Sequence, residues 1–172
     1  MAGKMGGKIG QLTGQVMHRP TTTSPLLVPF PASVYNGTGE ETRVNIEYDL
    51  SDEQASALED IDDSIVEQVA ARSQEIFKKQ MTVDAVREKY TPLVKRKEGY
   101  RPRLKTKIDL SKVRVWTTDK TLRPVPVNKF KGALVYPHVR FRNLWVMAHG
   151  FGLSADTIDI MMDEEVVEEC PF

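Results

Sequence analysis

The sequence predicts a mainly β protein, in which short antiparallel strands close into a small five-stranded barrel interrupted once by an acidic helical insertion. Three observations predict it. Polar and apolar residues alternate through "TRVNIEYDL", "RPRLKTKIDL" and "FGLSADTIDIMM", which is the period of half-buried strands. One stretch alone, from Ser51 to about Lys79, switches to helical spacing. No internal repeat or coiled-coil heptad competes with either pattern. Short strands around one helix are the outline of a small closed barrel. At 172 residues the chain suits one domain with a real core.

Residues 1–24, rich in Gly, Lys, Thr and Gln, read as a flexible N-terminus, with "GQLTGQVMH" able to pair as an edge strand. The folded domain is expected over 25–162. It opens with "SPLLVPFPASVY", apolar but carrying Pro25, Pro29 and Pro31, which cannot donate to a ladder. This is an edge strand or an extended arm. In "TRVNIEYDL", Val44, Ile46, Tyr48 and Leu50 share one face, and Arg43, Asn45, Glu47 and Asp49 the other.

The helical insertion is expected over about 51–98. Ser51 and Gln54 form a capping box, Asp52 and Glu53 suit the helix dipole, and Leu58, Ile61, Ile65, Val69 and Ile76 carry the helix to about Lys79. A second helix runs from about Val83 to Thr91-Pro92, and "KRKEGYRP" turns out of it.

Strands fill the remainder. Arg101, Arg103, Lys105 and Lys107 alternate with apolar residues that include Leu104 and Ile108. In "KVRVWTTD", Val113 and Val115 point inward, opposite Arg114 and Trp116. "KGALVYPHVRFRNLWVMAHG" is a strand pair or one bent strand, with Tyr136, His138, Arg140 and Arg142 on one face. Gly150 and Gly152 mark a turn before the closing strand, and residues 163–172 form a disordered acidic tail.

The formal charge of zero hides a segregation. From Arg87 to Arg142 there are 17 basic residues against 4 acids; from Glu40 to Glu75, 12 acids against 2 arginines; from Ser154 onward, 7 acids and no base. Such a pattern suggests one surface for an anionic polymer and an acidic tail able to compete for it. The lone Cys170 rules out a disulfide within the chain and fits a reducing cytoplasm. No apolar run reaches the roughly 18 residues of a membrane span, and "MAGKMGGKIG" lacks the core of a signal peptide.

No catalytic constellation stands out, so an enzyme is not expected. "GKMGGKIG" puts Ile9 where a phosphate loop needs a hydroxyl. "HGFG" has no G-x-S-x-G to supply a nucleophile. Three histidines and one cysteine give no metal spacing, and no cofactor is implied. Glu59, Asp60, Asp62 and Asp63 splay around a helix and read as a solvated acidic face rather than a metal cluster.

Single-stranded nucleic acid needs cations for its phosphates and rings for its bases. Arg101, Arg103, Lys105 and Lys107 lie on alternate residues, spaced about 6.6 Å apart, near the phosphate spacing of an extended strand. Tyr100, Arg114, Trp116, Tyr136, Arg140 and Arg142 complete the candidate set. Trp116 and Tyr136 each fit either core or stacking platform, while Trp145 fits core.

The ending Glu168-Glu169-Cys170-Pro171-Phe172 resembles the acidic, Phe-terminated tip of bacterial and phage single-stranded-DNA-binding proteins, with Cys in the apolar slot. The stretch from Tyr100 to Met161, through "GYRPRLKTKIDL", "VRVWTTD" and "NLWVMAHGFGLSADTIDIM", resembles the phage replication type. The resemblance implies an OB-fold with a helix inserted between strands, single-stranded DNA as ligand, and roles in replication and recombination. It implies that Asp163, Glu164, Glu165, Glu168, Glu169, Pro171 and Phe172 dock replication proteins and compete with DNA, and that the chain forms a homodimer. Two other readings stand beside it: a duplex-DNA- or RNA-binding or annealing protein, and an adaptor that binds no nucleic acid.

Overall fold

The computed structural model describes residues 24–163. In chain order these form β1 (Leu26–Leu27), β2 (Arg43–Asp49), α1 (Asp52–Ala71), α2 (Ser73–Phe77), α3 (Val83–Lys89), β3 (Tyr90–Thr91), β4 (Val94–Lys95), β5 (Arg103–Asp109), β6 (Arg114–Trp116), β7 (Leu122–Arg123), β8 (Leu134–Met147) and β9 (Gly150–Met162). No helix among them is long and apolar enough to cross a membrane.

β9 is the central strand. Along one edge it pairs antiparallel with β8, from Met147 opposite Gly150 to Val135 opposite Met162. Along the other edge it takes three parallel partners in turn: β3 at Phe151, β5 at Asp156 and Thr157, and β6 from Asp159 to Met161. β5 carries β2 antiparallel, with Arg43 opposite Asp109 and Asp49 opposite Arg103, and β4 on its first residues.

The proline-bearing segment closes the barrel. Leu26 and Leu27 pair with Val135 and Leu134 of β8, and Val28 N–H donates to Ala133 (3.0 Å). Five residues on, Ser33 bridges to Asn45 of β2. The order β1-β8-β9-β5-β2 therefore returns to itself, giving a mainly β, OB-fold-like barrel with a helical insertion, as the alternation predicts. Pro29 and Pro31 keep the arm from pairing along its whole length. Inside lie Val28, Ile46, Tyr48, Leu104, Ile108 and Ile160, each under 2 % exposed. Thr106 and Thr157 are buried with them, and their hydroxyls and that of Tyr48 satisfy one another. The Tyr48 and Thr106 hydroxyls both meet that of Thr157, at 2.6 and 2.7 Å.

The long segment 134–147 is one bent strand rather than a pair. Its pairing with β9 shifts twice, between His138 and Val139 and between Phe141 and Leu144. At the first shift Ile158 is the extra residue, so Asp156 and Asp159, three apart, both lie opposite outward-facing residues of β8.

The helical insertion departs from the expected single helix to Lys79. The capping box is present, with Gln54 N–H donating to Ser51 Oγ (3.1 Å) and Ser51 N–H to Gln54 Oε1 (2.8 Å). The helix breaks at Arg72 (φ −113°, ψ 19°), α2 follows, and Lys78 ends it in the left-handed region at φ 59°. Ser73 explains the break: it is fully buried and accepts the Met81 N–H at 2.9 Å, holding the chain in a turn. The second helix stops at Lys89, earlier than expected, because Tyr90 and Thr91 join β9. Ile65, Val69, Ile76, Val86, Tyr90 and Phe151 make a second core beneath the far half of the β8–β9 ribbon.

Two further expectations are corrected. The acidic face of α1 is not uniformly solvated. Asp60 is exposed, but Glu59 takes Arg96 (2.6 Å), Asp63 takes Arg87 (2.8 Å), and Asp62 is 4 % exposed. Asp62 accepts the Tyr90 hydroxyl at 2.5 Å and the Leu93 N–H at 3.0 Å, tying α1 to the chain entering β4. Gly150 and Gly152 are not the turn but the first strand residues after it. A Cβ on Gly150 would lie 2.6 Å from the Lys89 carbonyl, and one on Gly152 2.7 Å from the Trp145 ring. Trp145 packs across the ribbon on that bare position.

Removing the Asp62 carboxylate strands a buried hydroxyl and a buried N–H. Asp62→Ala is expected to lower unfolding free energy by about 3 kcal/mol in urea titration, and Asp62→Asn by about 1. A loss under 1 kcal/mol for the alanine variant would mean that water replaces the carboxylate. Burial also pushes the Tyr48 and Tyr90 phenols well above their usual range. Their folded values exceed the unfolded ones, so stability is intact below about pH 10 and falls above it, by about 1.4 kcal/mol per pH unit for each phenol. Urea midpoints from pH 9 to 11 test this; Tyr48→Phe should halve the slope, and an unchanged slope refutes it.

Candidate nucleic-acid interface

Alternation along β2, β5, β8 and β9 sends apolar side chains inward and leaves a charged outer face. Where those four strands lie side by side the face is hollowed into a cleft of about 240 Å³. Arg43, Lys107, Lys112, Arg140 and Arg142 line it, against the carboxylates of Asp109 and Asp156. Arg140 and Lys107 stand opposite Asp156 from either side of β9. Arg142 grips Asp156 by Nε to Oδ2, with Nη2 3.4 Å from Oδ1. Hydrogen bonds from the Ser111 hydroxyl (2.5 Å) and N–H (3.0 Å) hold the Asp109 carboxyl below its usual range.

A second node lies further along β9. Arg114 donates to Asp159 through Nε (2.7 Å) and Nη2 (2.9 Å), Trp116 Nε1 donates at 3.2 Å, and His138 Nδ1 lies at 3.3 Å. Burial pushes the Asp159 carboxyl up, but these partners together outweigh it and hold the group below the usual carboxylate range. Trp116 and Tyr136 stand opposite Met161 from its two sides, both half-buried and facing outward. The Arg114 guanidinium lies 5.8 Å from the Trp116 ring centre.

The other end of β5 is different. Arg103 stands opposite Asp49, with its guanidinium 3.9 Å from Asp49 and 3.7 Å from Glu47, and it lies 5.0 Å from the Phe30 ring centre and 5.4 Å from that of Tyr100. Lys105 is opposite Glu47, and Lys107 opposite neutral Asn45. The basic column is thus compensated by β2 at its start, whereas at Lys107 the only carboxylate opposite is Asp156 of β9, on the other side. Arg101 is exposed and precedes the strand.

The structure therefore brings Lys107, Arg140 and Arg142 into one cleft, with Arg114, Trp116 and Tyr136 beside it along β9. Tyr100 and Arg103 stand apart at the far end of β5, with Lys105 between. Sequence reasoning missed three residues here. Arg43 and Lys112 line the cleft, and Phe30, 47 % exposed, covers Arg103. The one sequence signal for Phe30 is an aromatic placed between two prolines that cannot pair. Asp163 is exposed, and its carbonyl accepts Arg123 Nη1 at 3.1 Å. Glu164, Glu165, Glu168, Glu169, Pro171 and Phe172 lie outside the described residues. Among the described residues no group of His, Cys, Asp and Glu is placed to hold a metal ion.

No protein-family model matches the chain, and no curated protein matches it. Solved structures do share its fold. A single-stranded DNA-binding protein from bacteriophage Enc34 in complex with single-stranded DNA matches with a TM-score of 0.52 and 12 % identity, over 87 % of this chain and 86 % of that one. Its C-terminally truncated form matches equally, with a TM-score of 0.52 and 12 % identity over the same shares. A further structure of the Enc34 protein gives 0.50 and 12 %, over 84 % and 82 %.

The lowered Asp159 carboxyl makes a testable claim about acid stability. Its folded value lies below the unfolded one, so its contribution is present above the ordinary carboxylate range and is lost as pH falls through the lowered value. Asp159→Asn is expected to flatten the fall in urea midpoint between about pH 5 and pH 2. A limb identical to that of the parent chain would show that Arg114 and His138 do not stabilise the ionised form.

Proposed function

We propose that the chain binds single-stranded DNA with little sequence preference and coats it during phage DNA replication and recombination. One observation carries the reading: a cation-lined cleft and a pair of outward-facing rings lie along the same strand, β9, on one barrel face. Cations tracking phosphates beside rings that accept any base are what sequence-tolerant binding requires. The shared fold with the Enc34 protein, whose structure holds single-stranded DNA, supports it.

In this reading Lys107, Arg140, Arg142, Arg43 and Lys112 meet phosphates, Trp116 and Tyr136 offer stacking faces, and Arg114 borders them. Tyr100, with Phe30, extends the track past Lys105 and Arg103, and Arg101 adds charge. The acids that follow β9 compete for the same surface and, when a strand displaces them, dock replication proteins through Pro171 and Phe172. The emergence of the chain at Asp163, next to Arg123 and two residues past Met161, supports that competition.

The test is a titration of fluorescent oligo-thymidine at several salt concentrations, with the full chain and a version stopped after Met162. Neutralising about five phosphates gives an expected log–log slope near −3.5. The shortened chain is expected to bind more tightly, and Trp116→Ala to lose about 1–2 kcal/mol of binding. Duplex DNA should compete poorly. No binding at low salt would sink the reading in favour of the adaptor role, and equal competition by duplex would replace it with a duplex-binding one.

A further inference from the structure

The outer face contains an oddity for a surface meant to attract phosphates: two of its best-placed arginines, Arg142 in the cleft and Arg114 beside it, are already occupied. Asp156 and Asp159 both come from β9, each with a side chain only 15 % exposed, and the Ile158 bulge puts both on the outer face. Each holds an arginine by two nitrogens, Arg142 on Asp156 and Arg114 on Asp159. An arginine fork grips a carboxylate and a phosphate in the same bidentate manner, so the two anions contend for one donor set. Around Asp156 the crowding is greater, since Arg140 and Lys107 flank it from the neighbouring strands.

We propose that Asp156 and Asp159 are resident anions of the binding face, which hold its arginines in place when no strand is bound and compete with the phosphates of one that is. They set the affinity below what the cations alone would give, and so keep the strand exchangeable. This rests on the reading of the face as a single-strand site. Binding moves each guanidinium from carboxylate to phosphate without moving the backbone, and the carboxylate left behind repels the incoming strand. An asparagine in its place keeps an oxygen to accept from the arginine but removes the repulsion.

The experiment compares the full chain with Asp156→Asn, Asp159→Asn and, as a control of equal charge change, Asp60→Asn on the exposed side of α1. Each is titrated with fluorescent oligo-thymidine across a salt series. Asp156→Asn is expected to bind about three- to tenfold tighter near ~150 mM salt, with a log–log slope steeper by about 0.7, as one more phosphate is neutralised. Asp159→Asn should shift in the same direction, and Asp60→Asn by less than about twofold. Urea midpoints confirm that each variant is folded, and either β9 variant alone decides the matter. Unchanged or weaker binding by a folded β9 variant would overturn the proposal, making the carboxylates positioning groups whose net effect favours DNA. A shift by Asp60→Asn as large as theirs would also overturn it, reducing the effect to net charge. If the unsubstituted chain holds no oligo-thymidine, the single-strand reading itself fails and this inference with it; if it binds and the variants do not tighten, only the inference fails.

Discussion

Everything in this fold is arranged around the need of β9 to be paired on both sides. A strand of thirteen residues carries a row of N–H and C=O groups along each edge, and buried ones left unmet are expensive. β8 satisfies one edge through a two-residue turn at Ala148 and His149. The other edge is met piecemeal by three separate strands, all parallel, and parallel neighbours cannot be joined by tight hairpins. The connections must be long. The helical insertion brings in the first of these partners: α3 delivers Tyr90 and Thr91 to Phe151 and Gly152, and Asp62 fixes the chain as it leaves for β4 and β5. The insertion thus has a structural role, and three of its acids, Glu59, Asp62 and Asp63, are engaged in contacts within it and with the chain that follows.

The same strand ties architecture to chemistry. Pairing with β8 would place Asp156 and Asp159 on opposite faces if the register were regular. The single extra residue at Ile158 restores both to the outside, where cations from β6 and β8 converge on them. A local irregularity of the ladder therefore decides the electrostatics of the whole face. Met161, beyond it, is flanked by Tyr136 and Trp116 for the same reason, since outward positions of three strands fall in one row.

What could be read from the sequence was what depends on near neighbours. Period-two alternation gave β2, β5 and the inward faces of Val44, Ile46 and Tyr48; the Ser51–Gln54 box gave the start of α1. What escaped was whatever depends on who lies across the sheet. Arg103 and Lys107 look alike along the chain, yet one faces Asp49 and the other Asn45, and nothing within β5 says so. Asp62 looks like its acidic neighbours until Tyr90 and Leu93 arrive from elsewhere in the chain. Gly152 passes for a turn residue because the ring that excludes a Cβ there belongs to the preceding strand. Register is a property of pairs, and one strand's sequence carries only half of it.

The closing arm has a consequence for how the molecule is made. Leu26 and Val28 are fully part of the core, but their contacts on β8 and beside Ala133 lie far downstream in the chain. A ribosome adding about 5–20 residues per second would emit the arm on the order of ten seconds before β8 follows it out. During that interval the cylinder has no wall to lean the arm against, and β9, the staff on which the other strands hang, is not yet made. The strand on which the others pair is made after all of them. The barrel can therefore close only once β9 has been synthesised, and the arm is sealed against β8 no earlier than that.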